Sequence, residues 1–208
     1  MKQDFSNFYI DKSNQDAFDI IQKIADKGKI DYSIILLCGK NGVGKTHLMV
    51  ALEEKIKDKS NVVRISSNQF MEMLKSKTVC SLYNLDILII EDIQFFISTL
   101  KVENKIYNTI KKLSIDKNIT IIMTVDREKP ELNNLEFIFK LMQINCERNL
   151  VLEIKETITN KTKSLIIKDF QRINNIIIAE SKIKTLLKEC TCFQELQSKL
   201  NATKILSK

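Results

Sequence analysis

Apolar runs of strand length alternate along this chain with segments whose apolar residues recur at helical spacing. The runs are Ile34-Ile35-Leu36-Leu37-Cys38, Val62-Val63-Arg64-Ile65-Ser66, Ile87-Leu88-Ile89-Ile90, Ile119-Thr120-Ile121-Ile122-Met123 and Leu150-Val151-Leu152-Glu153-Ile154. The first and third contain no polar residue, as a strand covered on both faces reads. Between the runs, Phe18, Ile21, Ile24 and Ala25 predict a helix over 13–27, and Leu48, Leu52 and Ile56 predict one over 46–57. Phe70, Met73 and Leu74 predict a third helix, with Ser67 as its cap, and Val102, Ile106, Ile110 and Leu113 a fourth. Strands alternating with helices imply right-handed crossovers and a parallel sheet. Past Ile154 no further strand run occurs. Leu165, Ile166, Phe170 and Ile173, then Ile177, Ile183, Leu186 and Leu187, then Phe193, Leu196 and Leu200 predict three more helices. The expected architecture is an α/β base over 1–154 with a five-stranded parallel sheet, followed by a small helical lid over 155–208.

Composition narrows the class. At 208 residues and 44% hydrophobic content, the chain can bury a core of one domain plus a small appendage. No apolar stretch is long enough to cross a membrane, and Met1-Lys2-Gln3-Asp4-Phe5 has no apolar signal core behind it, so a cytoplasmic location is expected. The five cysteines, Cys38, Cys80, Cys146, Cys190 and Cys192, are scattered, and Cys190-Thr191-Cys192 lacks a second ligand pair. Reduced thiols are expected, not a zinc site. The net charge of +7 comes almost entirely from lysine, the arginines being Arg64, Arg127, Arg148 and Arg172. Joint enrichment in Lys, Ile and Asn reads as compositional bias with a solvated lysine surface. Weak non-specific attraction to nucleic acid is compatible with it.

The candidate chemistry sits between the first strand and the second helix. Three of the four glycines fall in Gly39-Lys40-Asn41-Gly42-Val43-Gly44-Lys45-Thr46, the P-loop spacing. Glycines let backbone N–H groups turn inward around phosphate oxygens, and the following helix aims its positive end at the same anion. Asn41, Gly42, Val43, Gly44, Lys45 and Thr46 are the expected binding residues, with Lys45 on the phosphates and the Thr46 hydroxyl on Mg²⁺. A glycine-rich turn that binds nothing is the bland alternative; the strand before it and helix after it favour the P-loop. Glu91-Asp92 follows an apolar strand directly, where carboxylates are costly without a cation or partners. The pair Glu91-Asp92 is the expected source of a metal ligand beside Thr46 and of a carboxylate that orients water. Thr124-Val125-Asp126-Arg127 ends the fourth strand, and Thr124 and Asp126 are the expected contacts to the γ-phosphate or the attacking water. Alone that last signal is weak, since most strands end in polar residues.

These residues together resemble the AAA+ ATPase domain of the bacterial replication initiator DnaA and its shorter relative Hda. Phe5-Ser6-Asn7-Phe8 with Ser13-Asn14 is similar to the family's N-terminal box beside the adenine. His47-Leu48-Met49 continues its P-loop, and Ser66-Ser67 before Phe70 matches a further short segment. Asp86-Ile87-Leu88-Ile89-Ile90-Glu91-Asp92-Ile93-Gln94-Phe95 resembles the Walker B strand, Thr124 to Arg127 sensor 1, and Phe193-Gln194-Glu195-Leu196 the sensor 2 helix. The resemblance covers nearly the whole chain and weakens toward its C-terminal end. It implies ATP or ADP with Mg²⁺ as cofactors, Phe8, Ile10, Asn14 and His47 near the nucleotide, and Gln194 near its phosphates.

Departures from the family pattern shape the expected function. The helix-turn-helix domain that reads DNA in DnaA has no counterpart here, so sequence-specific DNA binding is not expected. The segment between Phe70 and Asp86 is shorter than the family's, where DnaA carries its initiator-specific helical insertion. Glu91 stands where the family carries Asp as the Mg²⁺ ligand, so the resemblance implies Glu91 on the metal and Asp92 on the water. Phe137-Ile138-Phe139-Lys140-Leu141-Met142 and Asn145 occupy the arginine-finger region, with Arg148 the nearest arginine, and Gln194 replaces the sensor 2 arginine. An amide supplies neither the charge nor the fork of a guanidinium, and an arginine finger contributes on the order of 10³ or more in rate. Slow hydrolysis follows. The resemblance implies a regulator of replication initiation that docks on DnaA, as Hda does in negative regulation. Gln3 and Phe5 are faint echoes of Hda's sliding-clamp motif. The alternatives are a helicase loader similar to DnaC and a non-hydrolysing nucleotide-binding module.

Overall fold

The computed structural model describes residues 3–28, 31–96, 100–126, 135–144, 146–155, 159–174, 178, 180–190 and 193–206. Its centre is a five-stranded sheet in which β1 (Ile34–Cys38), β2 (Val62–Ser66), β3 (Ile87–Glu91), β4 (Thr120–Val125) and β5 (Asn149–Glu153) lie in the order β2-β3-β4-β1-β5. Every pairing is parallel. All five strand exits therefore gather at one edge, the carboxyl edge, where open α/β sheets place ligands.

Alternation along each strand sorts the core into two layers. Ile35, Leu37, Ile87, Ile89 and Ile122 pack against α1 (Gln15–Lys27) and α2 (Lys45–Ile56) through Phe18, Ile21, Leu48 and Leu52. The intervening residues Leu36, Leu88, Ile90, Ile121 and Met123 pack against α3 (Ser67–Ser76), α4 (Leu100–Lys111) and α5 (Leu135–Met142) through Phe70, Ile106 and Leu141. Both faces of β1 and β3 are thus covered, which is the physical reason Ile34–Cys38 and Ile87–Ile90 carry no polar residue.

The expected helix over 13–27 begins at Gln15 because Asp11, Ser13 and Asn14 hydrogen-bond one another in a turn first. The cap of α3 is Ser66, not Ser67: the Ser66 hydroxyl accepts the N–H of Gln69 while the Gln69 side chain accepts the N–H of Ser66. Ser67 is the first helical residue and is buried. The fourth helix runs on past α4 as a π-helical turn over Lys112–Asp116. The helix α5, over residues read only as the arginine-finger region, packs Phe137, Ile138 and Leu141 into the core.

Beyond β5 come α6 (Asn160–Asn174), α7 (Glu180–Glu189) and α8 (Phe193–Leu206). Ile166, Ile167, Ile178, Leu186, Cys190, Leu196 and Leu200 form a core cluster separate from the two beneath the sheet. The N-terminal segment links these helices to the base. The Tyr9 hydroxyl donates to Asp169 Oδ2 at 2.9 Å, and the Asp11 carboxylate accepts the N–H of Thr159 and the hydroxyl of Thr162 at 2.8 and 2.7 Å. No helix among the described residues is long and apolar enough to cross a membrane.

Candidate functional site

Gly39 to Gly44 leave β1 at the carboxyl edge and turn back into α2. A Cβ on Gly39 would lie 2.8 Å from the carbonyl oxygen of Ile154, so only glycine lets the loop pass the end of β5. Gly44 has φ +105°, and a Cβ there would meet the Phe8 ring at 2.8 Å. Helix α2 begins at Lys45 with no side-chain cap, so its first-turn N–H groups and the positive end of its dipole are directed at the loop. Lys45 is 8% exposed, and its ammonium donates to the carbonyls of Gly39 and Lys40, both at 2.7 Å. The loop is thereby wrapped around a cation at a helix N-terminus, an arrangement suited to phosphate.

The ends of β3 and β4 complete the edge. Leu37 pairs with Thr124 and Ile90 with Met123, which sets Glu91 and Thr124 at the same level as the root of the loop. Glu91 Oε2 lies 2.6 Å from Arg64 Nη1, while Glu91 Oε1 is buried without a hydrogen-bond partner. A buried carboxylate oxygen left this way is costly, and a hard cation satisfies it. Thr46 is exposed on the first turn of α2. Among the described residues no three His, Cys, Asp or Glu side chains converge into a metal cage. The donors available are a hydroxyl and a carboxylate oxygen, and they fit Mg²⁺, which takes one or two protein oxygens and fills the rest of its shell with phosphate and water.

Asp92 leaves β3 at φ +58°, ψ +50°, a conformation uncommon outside glycine. Two bonds hold it. Its N–H donates to Thr124 Oγ1 at 3.0 Å, and its carboxylate accepts from Gln94 Nε2 at 3.1 Å. Gln94 Oε1 in turn accepts the N–H of Asp126 at 3.1 Å. Gln94, Thr124 and Asp126 are all buried, whereas Asp92 is exposed. The structure therefore brings Asp92, Thr124 and Asp126 into one network and adds Gln94 as its bridge. The sequence signal for Gln94 was an amide inside Ile93-Gln94-Phe95-Phe96. Arg64 and Asp11 are likewise neighbours that pattern alone does not single out.

On the other side of the loop, Phe8 stacks on Phe18 with centroids 5.6 Å apart and meets His47 edge-on at 5.2 Å. His47 Nε2 is 2.8 Å from the carbonyl oxygen of Asp4. Ile10 is 42% exposed. The Asn14 amide accepts the N–H of Asp11 and donates to the carbonyl of Tyr9, so it shapes the turn beside the loop. Asn41 and Gly42 are exposed, and Val43 is half-buried. Gln194 lies in the first turn of α8, with its side chain outside the described residues, as are Arg127 and Asn145. Arg148 precedes β5 at the opposite, amino edge of the sheet and donates to the carbonyl of Asp31 at 2.8 Å.

A sequence model of the bacterial DnaA ATPase domain matches residues 1–144. The chain belongs to the bacterial DnaA ATPase domain family. It is 31% identical over 191 residues to the chromosomal replication initiator DnaA of Helicobacter hepaticus, covering 86% of this chain and 40% of that protein. It is 31% identical over 180 residues to DnaA of Campylobacter concisus, covering 81% and 40%. This DnaA-family chain thus spans about two fifths of the length of those relatives. Among solved structures, AMPPCP-bound DnaA from Aquifex aeolicus superposes with a TM-score of 0.76 at 22% identity, over 98% of this chain and 64% of that one. Domain III of DnaA from Thermotoga maritima gives 0.73 at 21%, over 95% and 85%. These likenesses establish the AAA+ α/β fold.

Proposed function

We propose that this chain binds ATP or ADP with Mg²⁺ and regulates replication initiation by docking on DnaA, as Hda does, with slow intrinsic hydrolysis. The nucleotide part of the reading is carried by the buried, partnerless Glu91 oxygen at the same sheet edge as the Lys45 loop, and the DnaA part rests on the family alone. Lys45 exchanges its loop carbonyls for phosphate oxygens, and the backbone N–H groups at the start of α2 supply the rest of the grip. Thr46 and Glu91 hold Mg²⁺, which when bound neutralises charge on the phosphates. Phe8, Ile10 and His47 flank the nucleotide. Asp92, held by Thr124 and Gln94, orients water. The AMPPCP bound by the Aquifex aeolicus relative supports a nucleotide as the ligand.

Slow turnover is supported by where the arginines stand. Arg64 is committed to Glu53 and Glu91, Arg148 to the amino edge, and Arg172 to Asp169 at 3.0 Å on α6. None of these described arginines donates to the loop. The base over 1–154 and lid over 155–208 act as the two halves between which nucleotide sits, in the cytoplasm.

Binding of a fluorescent ATP analogue to the wild type and to Lys45→Ala tests the site: a tenfold or greater loss is expected, and equal affinity refutes it. Hydrolysis of DnaA-bound ATP, followed with and without this protein, sliding clamp and DNA, tests the role. Stimulation together with a DnaA complex is expected. The solved DnaC helicase loader shares this fold over 74% of the chain at a TM-score of 0.58. A complex with replicative helicase in place of DnaA transfers the reading to a loader. Nucleotide binding without hydrolysis or either complex leaves a holding module.

A further inference from the structure

Glu91 carries its carboxylate one methylene further from the backbone than an aspartate would, and the structure shows what occupies the added reach. Ser66 on β2 is the register partner of Glu91 on β3. Arg64, two residues earlier on β2, emerges on the same face of the sheet. Its Nη1 lies 2.6 Å from Glu91 Oε2 and its Nε 2.7 Å from Glu53 Oε2 on α2. The guanidinium is thus held between two carboxylates from different elements, and its side chain is 28% exposed against 12% for Glu91. Burial works against its charge, and the two carboxylates outweigh burial and raise its pKa.

The split use of the Glu91 carboxylate is the informative point. One oxygen is taken by Arg64; the other is buried with no partner. We propose that Arg64 is a positioning residue that fixes the longer Glu91 side chain so that Oε1 alone is presented to Mg²⁺. This rests on the nucleotide-site reading above. Glu53 holds Arg64 through Nε, so the guanidinium is tethered to α2 and is not free to follow Glu91 and compete with the cation. A lysine cannot bridge both carboxylates with the same geometry. An aspartate at 91 retracts from Arg64 and has no use for it. Partners that orient a ligating carboxylate typically contribute about 10- to 100-fold to metal affinity.

The test is the Mg²⁺ concentration at half-maximal binding of a fluorescent ATP analogue, with binding in EDTA and thermal melting without nucleotide measured alongside. Arg64→Gln is expected to raise the Mg²⁺ midpoint about tenfold and leave EDTA binding unchanged. Arg64→Lys is expected to recover part of the loss. In a Glu91→Asp background, Arg64→Gln is expected to shift the midpoint less than about twofold, a coupling that a purely structural role would not show. Where Arg64→Gln does not fold, Glu53→Gln replaces it, with a smaller shift of the same sign. An unchanged or lowered midpoint for Arg64→Gln, or for Glu53→Gln in its place, with Glu91 intact overturns the proposal alone. A wild-type protein whose binding ignores both Mg²⁺ and Lys45→Ala overturns it together with the nucleotide-site reading.

Discussion

The backbone N–H of Asp92 donates to the Thr124 hydroxyl oxygen at 3.0 Å, tying the exit of β3 to the exit of β4. The bond holds a non-glycine residue at φ +58°, in a region sparsely populated for such residues. Thr124→Val keeps the shape and removes the acceptor. It is expected to lower stability by about 1–3 kcal/mol, the cost of an unsatisfied donor, while Thr124→Ser stays close to wild type. Urea denaturation distinguishes the two, and equal midpoints for Thr124→Val and wild type contradict the role assigned to the hydroxyl.

Gln94 joins Asp92 to Asp126 from a position 5% exposed. Gln94→Leu preserves volume and deletes both hydrogen bonds. Single-turnover hydrolysis is expected to slow at least about tenfold with nucleotide affinity within about twofold, the signature of an interaction made in the transition state. A parallel loss of affinity shows instead that Gln94 shapes the binding loop.

Gly44→Ala places a methyl group where the Phe8 ring lies 2.8 Å away, at φ +105°. Strain at such a backbone is on the order of 1–3 kcal/mol. Loss of nucleotide binding is expected, with a lowered melting temperature. The double variant Gly44→Ala with Phe8→Ala is expected to recover part of the stability but not the binding, because φ remains wrong for alanine.

Asp11 ties the base to α6 through Thr159 and Thr162. Burial pushes its carboxyl up, but hydrogen bonds from Thr159, Thr162 and Ser13 outweigh burial and bring the pKa down to about 2. A depressed folded-state pKa adds stability that is fully present above the unfolded value near 3.8 and is lost as pH falls toward about 2. The shift corresponds to about 2 kcal/mol. Asp11→Asn is expected to lower the melting temperature at neutral pH and to flatten its fall between those two values. A wild-type acid limb unchanged by Asp11→Asn excludes this carboxylate as its source.

The strand set was legible because burial on both faces leaves a local trace. Ile34–Cys38 and Ile87–Ile90 are unbroken apolar runs, and the structure makes both of them interior strands. The tight turn between β1 and α2 was legible because its glycines answer local demands of φ and close approach. Less local features were not. Ser66 and Ser67 are chemically alike, and only the geometry at the end of β2 decides which one caps α3. Arg148 stands near the expected arginine-finger region in sequence, yet the direction of β5 carries it to the opposite edge of the sheet. Arg64 reads as one charge in a partly apolar strand. Its meaning appears when β2 lies beside β3 and α2 lies across both, so that three residues far apart in the chain form one ion triad.

By itself, then, the sequence determined the alternation of strands and helices, the glycine-rich turn after β1 and the acidic strand end, because each depends on neighbouring residues and their periodicity. The tertiary structure alone decided strand order, the Asp92–Gln94–Thr124–Asp126 network and the pairing of Glu91 with Arg64. Those depend on which strand exits meet at one edge of the sheet, and hydrogen bonds formed across strands leave no period in the chain that makes them.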